Sequence, residues 1–476
     1  MFQAHLAPHE WKRVMPVRNP RARLAFLLVG VALTACTETR TEFVAREPFN
    51  PPPDTVNGFL GYFDAASKQL TCASCHVSRS GQWKGHGHAD AWNTLQNSGG
   101  AQSFCEGCHT VSDKGNLSPA PAGYNLTPTP VYFDVQCESC HGPGFDHVLV
   151  PDGGTGPLAS IKGDTLNPAA CATCHSGSHH PFVEEWSQSR HNMMNEFPRG
   201  RDDCISCHTG QGALQAFGIR TSYLEDDAPV GQHETITCAI CHDPHGSEFA
   251  KQLRFSVGSQ DANLNLCIKC HNRGAEVDLG GGTRGPHAPE GPLVLGEDVG
   301  WFPPGFDPML DRIRGSHGSG ANVRLCATCH VDSYTATDGQ TGSFLFKVTG
   351  HRFLAIPCVN ADTVPTQAQD CTTLTERTFR ACATSGCHGD EIAAQTAFTV
   401  ANARIDGHIA TMDSLLALVP PNELDPNTGV FTVAKGSQFN NDLAKVTGSS
   451  THNPFLIEGL LLASIQSLND TYGPFP

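Results

Sequence analysis

Cys137-Glu-Ser-Cys-His141 is one copy of a five-residue pattern, Cys-x-x-Cys-His, that occurs eight times in this chain of 476 residues. The eight copies are Cys72–His76, Cys105–His109, Cys137–His141, Cys171–His175, Cys204–His208, Cys238–His242, Cys267–His271 and Cys326–His330. Their second cysteines are Cys75, Cys108, Cys140, Cys174, Cys207, Cys241, Cys270 and Cys329. A ninth stretch, from Cys382 to Cys387 and His388, has four residues between its cysteines. We number these stretches sites 1 to 9 in chain order.

This pattern is the attachment signature for c-type haem. The two thiols bond to the vinyl groups of one porphyrin, and the histidine that follows binds its iron. Zinc sites also use Cys-x-x-Cys pairs, but zinc gives no reason for a histidine directly after every second cysteine. The sequence therefore predicts haem c at eight sites. Site 9 is predicted to be a ninth haem site, with a disulfide as the alternative.

The remaining cysteines indicate an oxidising compartment. Nine sites use 18 of the 21 cysteines and leave Cys36, Cys358 and Cys371. Cys358 and Cys371 are 13 residues apart, and neither is followed by histidine, so we predict a disulfide between them; two free thiols are the alternative. Haem attachment in bacteria takes place outside the cytoplasm, where disulfides also persist.

The first 35 residues are predicted to be a targeting segment. A basic region with four arginines precedes ten apolar residues, 24–33, which suit a signal peptide but are too short to span a bilayer. Leu33-Thr34-Ala35-Cys36 resembles the lipoprotein box of bacteria. The resemblance implies cleavage before Cys36 and a lipid on its thiol, which would anchor the protein to a membrane. An ordinary secretory peptide with an unrelated cysteine is the alternative. Thr37 favours the outer membrane, on its periplasmic or cell-surface face.

The charge of the chain disfavours nucleic acid as a partner. Residues 1–35 contain five Lys or Arg and one Glu, so their removal changes the formal net charge from −16 to −20. An acidic surface suits cationic redox partner proteins. The excess of acidic side chains would also keep a secreted protein in solution. The sequence leaves the oligomeric state open.

The first six sites form two sets of three. Sites 1 and 4 are 99 residues apart, as are sites 2 and 5, and sites 3 and 6 are 101 apart. Trp83 precedes His88 by five residues, and Trp186 precedes His191 by the same distance. The targeting segment, the repeat and the C-terminal periodicity together predict the following divisions: 1–35 signal peptide, 36–66 lipid-anchored tether, 67–160 first trihaem module, 161–250 second trihaem module, 251–389 third and diverged haem module, and 390–476 C-terminal helical region.

Composition predicts a fold of mostly coil with short α-helices wrapped around the haems and little or no β-sheet. Gly (48 residues) and Pro (33 residues) are abundant, and several stretches, such as 277–306, show neither helical nor strand periodicity. Two segments without a haem motif, Glu391–Leu418 and Pro454–Leu468, have helical periodicity. We expect them to form a helical pair packed on the last haem.

Each haem iron has a second axial position, and histidine is the expected ligand. Thirteen histidines lie beyond residue 36 and outside the nine sites, whereas methionine is scarce. Six have a context that favours ligation: His88, His147, His191, His245, His317 and His452. His233, His351 and His408 follow as further predicted metal ligands. His86, His179, His180 and His287 are the weakest candidates. Any one of these residues could instead be an ordinary surface histidine.

These motifs resemble those of multihaem c-type cytochromes. Cys137–His141 followed by Gly-Pro-Gly and His147 is similar to a stretch in the tetrahaem cytochromes of ammonia-oxidising bacteria and their octahaem relatives. The Trp-x-x-x-x-His elements indicate the same group, and Cys238–His245 is similar to families with doubled motifs. The resemblance implies haems close enough for electrons to tunnel between neighbours. Site 9 and the C-terminal helices depart from the octahaem enzymes, so we carry over no catalytic residues.

The predicted function is electron transfer along about nine bis-His haems, between membrane-associated partners or to an extracytoplasmic acceptor. The protein is then an electron carrier rather than an enzyme with its own substrate site. Every site ends in histidine, and none has the Cys-x-x-Cys-Lys motif that marks the active haem of ammonia-forming nitrite reductase. The alternatives are a multihaem reductase or oxidase of a small nitrogen or sulfur compound, and a filament-forming cytochrome.

Overall fold

A computed structural model describes residues 57–151, 156–164, 171–193, 196–219, 222–280, 284–307 and 315–475. The predicted signal peptide, the predicted lipidation site Cys36 and the predicted tether as far as residue 56 lie outside these ranges. Phe59, Leu60 and Tyr62 are buried at 0–3% exposure. The folded part of the chain therefore begins before residue 67, within the segment predicted to be a tether.

Most of the described chain is coil, turn and short helix, as predicted. The described ranges before residue 390 contain thirteen short helices: α1 Val77–Trp83, α2 Ala91–Gln96, α3 Ser103–Glu106, α4 Glu138–His141, α5 Phe145–Leu149, α6 Phe182–Ser187, α7 Glu196–Arg199, α8 Ile205–His208, α9 Gly210–Ala216, α10 Cys238–Cys241, α11 Glu290–Leu295, α12 Cys326–His330 and α13 Arg380–Thr384. Single 3₁₀ turns cover Thr71–Ser74, Gly87–Asp90, Gly123–Asn125, Pro130–Tyr132, Val230–Gln232, Ala250–Gln252, Ser316–Gly318, Leu374–Glu376 and Pro426–Thr428. Helix α11 lies in the stretch 277–306, where the sequence predicts no regular element.

The β-structure is limited to two antiparallel hairpins within the described residues. Strand β1 (Tyr62–Asp64) pairs with β2 (Gln69–Leu70), and β3 (Tyr334–Thr337) pairs with β4 (Phe344–Val348). In the second hairpin Tyr334 is opposite Val348. The prediction of little or no sheet is confirmed.

The C-terminal region consists of helices α14 (Glu391–Leu416), α15 (Pro421–Leu424), α16 (Val433–Lys445), α17 (Ser449–His452) and α18 (Pro454–Tyr472). The two predicted helices correspond to α14 and α18. The sequence does not predict helix α16, because its buried face includes Gly436, Ser437, Asn440 and Asn441 beside the apolar residues. Those polar positions interrupt the apolar periodicity by which a helix is recognised in a sequence.

These helices surround the largest apolar core of the described chain. Met412, Leu443, Leu456 and Leu461 are each 0% exposed. The buried Asn440 accepts a hydrogen bond from Trp301 N at 2.8 Å and donates to Trp301 O at 2.7 Å. A Cβ at position 436 would lie 2.2 Å from the Trp301 ring, so this contact requires glycine. The bundle is therefore tied to the haem-motif region through the loop that carries Trp301.

The described helices do not include one that is both long and apolar enough to cross a membrane. The described cysteines form one disulfide, Cys358–Cys371, which confirms the sequence prediction.

Leu461→Ala should destabilise the C-terminal region by about 2–5 kcal/mol, because it removes a fully buried side chain and leaves a cavity. Leu462→Ala is the matched control, since Leu462 is 48% exposed, and its effect should stay within about 0.5 kcal/mol. Chemical denaturation followed by far-UV circular dichroism measures both. Equal losses in the two variants would contradict the core described above.

Candidate haem sites

Each Cys-x-x-Cys-His stretch forms about one helical turn. The histidine N–H donates to the carbonyl of the first cysteine at 2.9 Å in sites 1, 3 and 6, and at 3.0–3.1 Å in sites 4, 5 and 7. One turn of helix places residues three and four apart on the same side. Both thiols and the imidazole are thus presented together, as the attachment of one porphyrin requires.

Site 9 has a different local backbone structure. Helix α13 ends at Thr384, between the two cysteines. Gly386 has a φ of +77°, a left-handed conformation that glycine adopts without strain. The extra residues are taken up by a turn. Neither Cys382 nor Cys387 is disulfide-bonded, in contrast to the alternative considered for this site.

Eight of the nine attachment histidines have a second imidazole ring opposite them. The ring centres are 6.1–6.4 Å apart in every case. The pairs are His76–His147, His175–His88, His141–His245, His271–His191, His208–His287, His242–His351, His388–His317 and His330–His452. A metal bound to nitrogen at about 2.0–2.1 Å on each side holds two imidazole centres roughly 6 Å apart. The spacing therefore fits one iron between each pair of rings.

Most of the predicted axial histidines lie in these pairs. The six with the best sequence context are all present: His88, His147, His191, His245, His317 and His452. His351 is also paired, at site 6. His287, which ranks among the weakest candidates, lies opposite His208; it has neither the tryptophan five residues before it nor the matched turn after a haem motif that identifies the others.

Two predicted ligands are placed elsewhere. His233 Nδ1 lies 3.4 Å from Thr209 Oγ1. His408 Nε2 lies 3.4 Å from the Glu458 carboxylate in the C-terminal bundle. Neither ring is opposite an attachment histidine of the described chain, so the structure gives no support to their selection as ligands. Both have a polar neighbour that accounts for them.

Site 2 differs from the others. Within the described part of the chain, no ring lies opposite His109 at the distance found in the eight pairs. The ring centre of His180 lies 6.4 Å from that of His175, at 84° to it, rather than opposite His109. His109 Nδ1 donates to Ala91 O at 2.9 Å. A backbone carbonyl therefore orients the His109 ring, although no second imidazole ring lies opposite it among the described residues.

Backbone carbonyls fix the orientation of several rings. His141 Nδ1 donates to Pro157 O at 2.7 Å, and His242 Nδ1 donates to Lys251 O at 2.7 Å. His330 and His317 donate in the same way to Phe353 O and Thr451 O, both at 2.8 Å. Because a carbonyl can only accept, Nδ1 carries the proton and Nε2 is left with its lone pair. Such partners orient the ring and fix its tautomer for metal binding.

Burial also favours the neutral form of four of the opposing rings. Loss of water around them lowers the pKa of His88, His191, His351 and His452 to about 4. Neutral imidazole is the form that binds a metal.

The segment that carries His351 is held by a buried carboxylate. Glu185 is 0% exposed and accepts hydrogen bonds from Thr349 N at 2.8 Å and His351 N at 2.7 Å. Glu185 lies in α6, next to Trp186, whose Nε1 donates to Ile236 O at 2.8 Å. Trp83 makes the equivalent bond to Val135 O, also at 2.8 Å. The tryptophans of the repeat thus hold equivalent places in the two halves.

The opposing histidines interlock distant parts of the sequence. His88 follows site 1 but lies opposite site 4, and His245 follows site 6 but lies opposite site 3. His452 comes from the end of α17 in the C-terminal region and lies opposite site 8. Asn453 caps α18 through Leu456 N and also donates to Leu293 O, which fixes the position of its neighbour.

Attachment cysteines of different sites touch one another. The neighbouring side chains are those of Cys72 and Cys137, Cys108 and Cys174, Cys171 and Cys238, Cys207 and Cys270, Cys267 and Cys326, and Cys329 and Cys382. Cys140 interacts electrostatically with Cys171 and Cys174, and Cys241 with Cys267 and Cys270. Each site is therefore adjacent to at least one other.

Comparison with known proteins supports the sequence resemblance. Residues 71–142 match the family "Cytochrome c554 and c-prime", and residues 228–276 match the "Doubled CXXCH motif" family. The first range covers sites 1 to 3, and the second covers sites 6 and 7. Both lie where the sequence indicated them.

Curated relatives belong to the same class. The chain is 28% identical to the C-type polyheme cytochrome OmcB of Geobacter sulfurreducens over 195 residues, 36% of this chain and 25% of that protein. It is 29% identical over 192 residues to the multiheme cytochrome MtrA of Shewanella baltica, 36% of this chain and 53% of the relative. The matches thus span between a quarter and about half of these relatives.

The structure of the outer cell wall cytochrome OcwA aligns with a TM-score of 0.48 at 19% identity, covering 79% of this chain and 78% of that one.

The repeated attachment motif, the opposed histidine rings and the two family matches lead to one conclusion. The chain is a multihaem c-type cytochrome.

Proposed function

We propose that the protein binds nine c-type haems and carries electrons between redox partners outside the cytoplasm. Haem c supplies an iron that accepts and releases single electrons when it is bound. The observation that carries the proposal is the set of eight imidazole pairs at 6.1–6.4 Å. A site closed by histidine on both sides leaves a substrate no position on the metal. The residues therefore favour electron transfer over catalysis at these eight sites.

The contacts between thiols support an order for the sites. Sites 1, 3, 4, 6, 7, 8 and 9 follow one another as neighbours, site 2 adjoins site 4, and site 5 adjoins site 7. We infer a main path of seven sites with two side branches. The ends of that path, sites 1 and 9, and the branch sites 2 and 5 are then the places where partners exchange electrons with the protein.

The proposal extends to location. The net charge of −20 without residues 1–35 suits partners with basic docking surfaces. We propose that a lipid on Cys36 anchors the protein in the outer membrane, consistent with the lipoprotein-like Leu33-Thr34-Ala35-Cys36. The intact mass of the mature protein counts acyl chains and haems together, and a mature chain that begins before residue 36 would contradict the anchor.

A second function has one observation in its favour. His109 at site 2 lacks an opposed ring within the described residues, and the ring of His180 lies beside His175 instead. A site of this kind would bind a small nitrogen or sulfur compound, as a multihaem reductase or oxidase does. Spin state separates the two functions, because an open site gives a high-spin iron.

The purified protein should contain nine covalently bound haems. Replacing both Cys382 and Cys387 with serine should lower the count to eight, since site 9 then has no thiol to bond. Replacing both Cys358 and Cys371 with serine is the matched control and should leave nine, because that pair forms a disulfide. Mass spectrometry and the pyridine haemochrome assay measure the count. A wild-type count of eight would exclude site 9.

His287→Ala should convert one haem to the high-spin state, because His208 loses the ring opposite it. His233→Ala should leave the spectrum unchanged, since His233 lies beside Thr209 and not opposite an attachment histidine. Electron paramagnetic resonance and the high-spin absorption band report the change. Identical spectra for both variants would refute the assignment of His287.

The reduced protein should pass its electrons to a soluble Fe(III) chelate until all nine haems are oxidised. If electron transfer is its function, it should not sustain turnover of nitrite, hydroxylamine or tetrathionate, because eight of the nine sites are closed by histidine on both sides and only site 2 lacks an opposed ring among the described residues. Stopped-flow absorbance measures the first reaction, and consumption of substrate with reduced viologen measures the second. Sustained turnover, together with a high-spin signal in the resting protein, would support the enzyme instead.

A further inference from the structure

Site 7 differs from the other sites in the group that its attachment histidine contacts. His271 Nδ1 lies 3.1 Å from Glu290 Oε2. The attachment histidines of sites 2, 3, 6 and 8 donate to backbone carbonyls instead. A carboxylate carries a full negative charge, whereas a carbonyl carries only a dipole. The histidine of site 7 therefore has the most strongly accepting partner among these five.

The contact is built into the fold. Glu290 is the first residue of α11, and the next residue, Gly291, donates from its N–H to His271 O at 2.9 Å. A Cβ on Gly291 would lie 2.6 Å from both His271 O and the Ile268 side chain, so only glycine lets α11 approach so closely. Leu293 on the same helix is 0% exposed and belongs to the C-terminal core. The Gly291–His271 hydrogen bond and the burial of Leu293 therefore fix helix α11 so that the Glu290 carboxylate stays next to the His271 imidazole.

One other paired histidine has a carboxylate nearby, but its charge is offset. His245 Nδ1 at site 3 lies 3.5 Å from Asp243 Oδ1. Arg254, whose side chain is 6% exposed, contacts the other oxygen of Asp243 at 3.1 Å. Among the described residues, Glu290 forms no ion pair of this kind with a lysine or an arginine.

Site 7 is also a junction. Cys267 contacts Cys326 of site 8, Cys270 contacts Cys207 of site 5, and Cys241 of site 6 acts on both. Site 7 therefore adjoins three other sites, and an electron that moves from site 5 or site 6 to site 8 passes through it.

We propose that Glu290 lowers the reduction potential of the haem at site 7, so that the junction is a disfavoured resting place for an electron. The inference rests on the proposed haem binding and electron transfer. By accepting the Nδ1 proton of His271 in a hydrogen bond, the carboxylate increases the electron density at Nε2. A more basic axial ligand stabilises the oxidised iron, and hydrogen bonds around axial ligands are a recognised means of tuning potential. Glu290 is thus a positioning and tuning residue that acts through His271.

The geometry supplies a spectroscopic label for this haem. The planes of His191 and His271 are 74° apart, whereas the other seven pairs are 23–50° apart. Nearly perpendicular axial rings leave two iron d orbitals close in energy, which gives a low-spin signal of large anisotropy. We expect one such signal in the oxidised protein, and it identifies site 7 during a redox titration.

Glu290→Gln should raise the midpoint potential of that signal. We expect about a tenfold change in its Fe(III)/Fe(II) equilibrium, which corresponds to about 59 mV for one electron. A smaller rise is expected at site 8, because the charge of Glu290 also acts on His330 and His452. The other seven potentials should not move. Glu290→Asp keeps the charge and should retain most of the wild-type value.

Glu297→Gln is the control for a general effect of charge, since Glu297 is exposed and lies seven residues further along the chain. If the anisotropic signal kept its midpoint potential in Glu290→Gln, with nine haems attached, the proposed role of Glu290 would be overturned. The proposed haem binding and electron transfer would not be affected by that result. Equal shifts of every haem in the Glu290→Gln and Glu297→Gln variants would overturn the role of Glu290 as well. Failure of the wild-type protein to show low-spin haems would instead count against the proposed function.

Discussion

The separation of two imidazole rings by the width of one coordinated iron is the constraint on which this structure depends. It recurs eight times, at 6.1–6.4 Å, among histidines that are 71 to 122 residues apart in the chain. Local hydrogen bonds alone do not produce such repetition in a chain with so little regular structure. Each pair joins two segments, so the set of pairs substitutes for the helix packing and sheet ladders that hold ordinary domains together.

Among the described residues, the largest conventional core lies in the C-terminal helices, where such pairs are few. Helices α14, α16 and α18 bury leucine, isoleucine and methionine as a small helical protein would. This region contributes His452 to site 8, and Thr451 O accepts the hydrogen bond of His317 at site 9. Two consecutive residues therefore support the last two sites of the proposed path. The helical region acts as a structural support for the end of the haem array.

Attachment sites could be read from the sequence because their chemistry is local. Five residues contain both thiols and one axial ligand, and the spacing has a mechanical reason. Axial partners are harder to predict, since only the fold decides which distant ring lies opposite. His88 and His191 can be identified because the repeat marks them twice, whereas His287 has no such counterpart. His408 is among the predicted ligands, and the structure places it beside Glu458.

Helices show the same division between local and distant information. The apolar periodicity of α14 and α18 is sufficient to predict them. Helix α16 is not recognisable from the sequence, because its buried Asn440 makes its hydrogen bonds with Trp301, 139 residues away. A buried asparagine looks like a surface residue until its partner is known. Helix α11 is short and glycine-flanked, and its place depends on the close approach of Gly291 to site 7.

The crossing of opposed histidines between modules has a consequence for how the protein is made. A chain exported from its N-terminus presents site 3 long before His245 emerges, and site 8 before His452. A haem attached early at such a site would have a histidine on only one side of its iron until the later segment is translocated. This order holds for sites 1, 3, 5, 6 and 8, whose opposing histidine comes later in the chain, whereas sites 4, 7 and 9 find theirs already delivered. A chain whose export stopped midway would keep its covalently bound haems, but some of their irons would lack the second histidine.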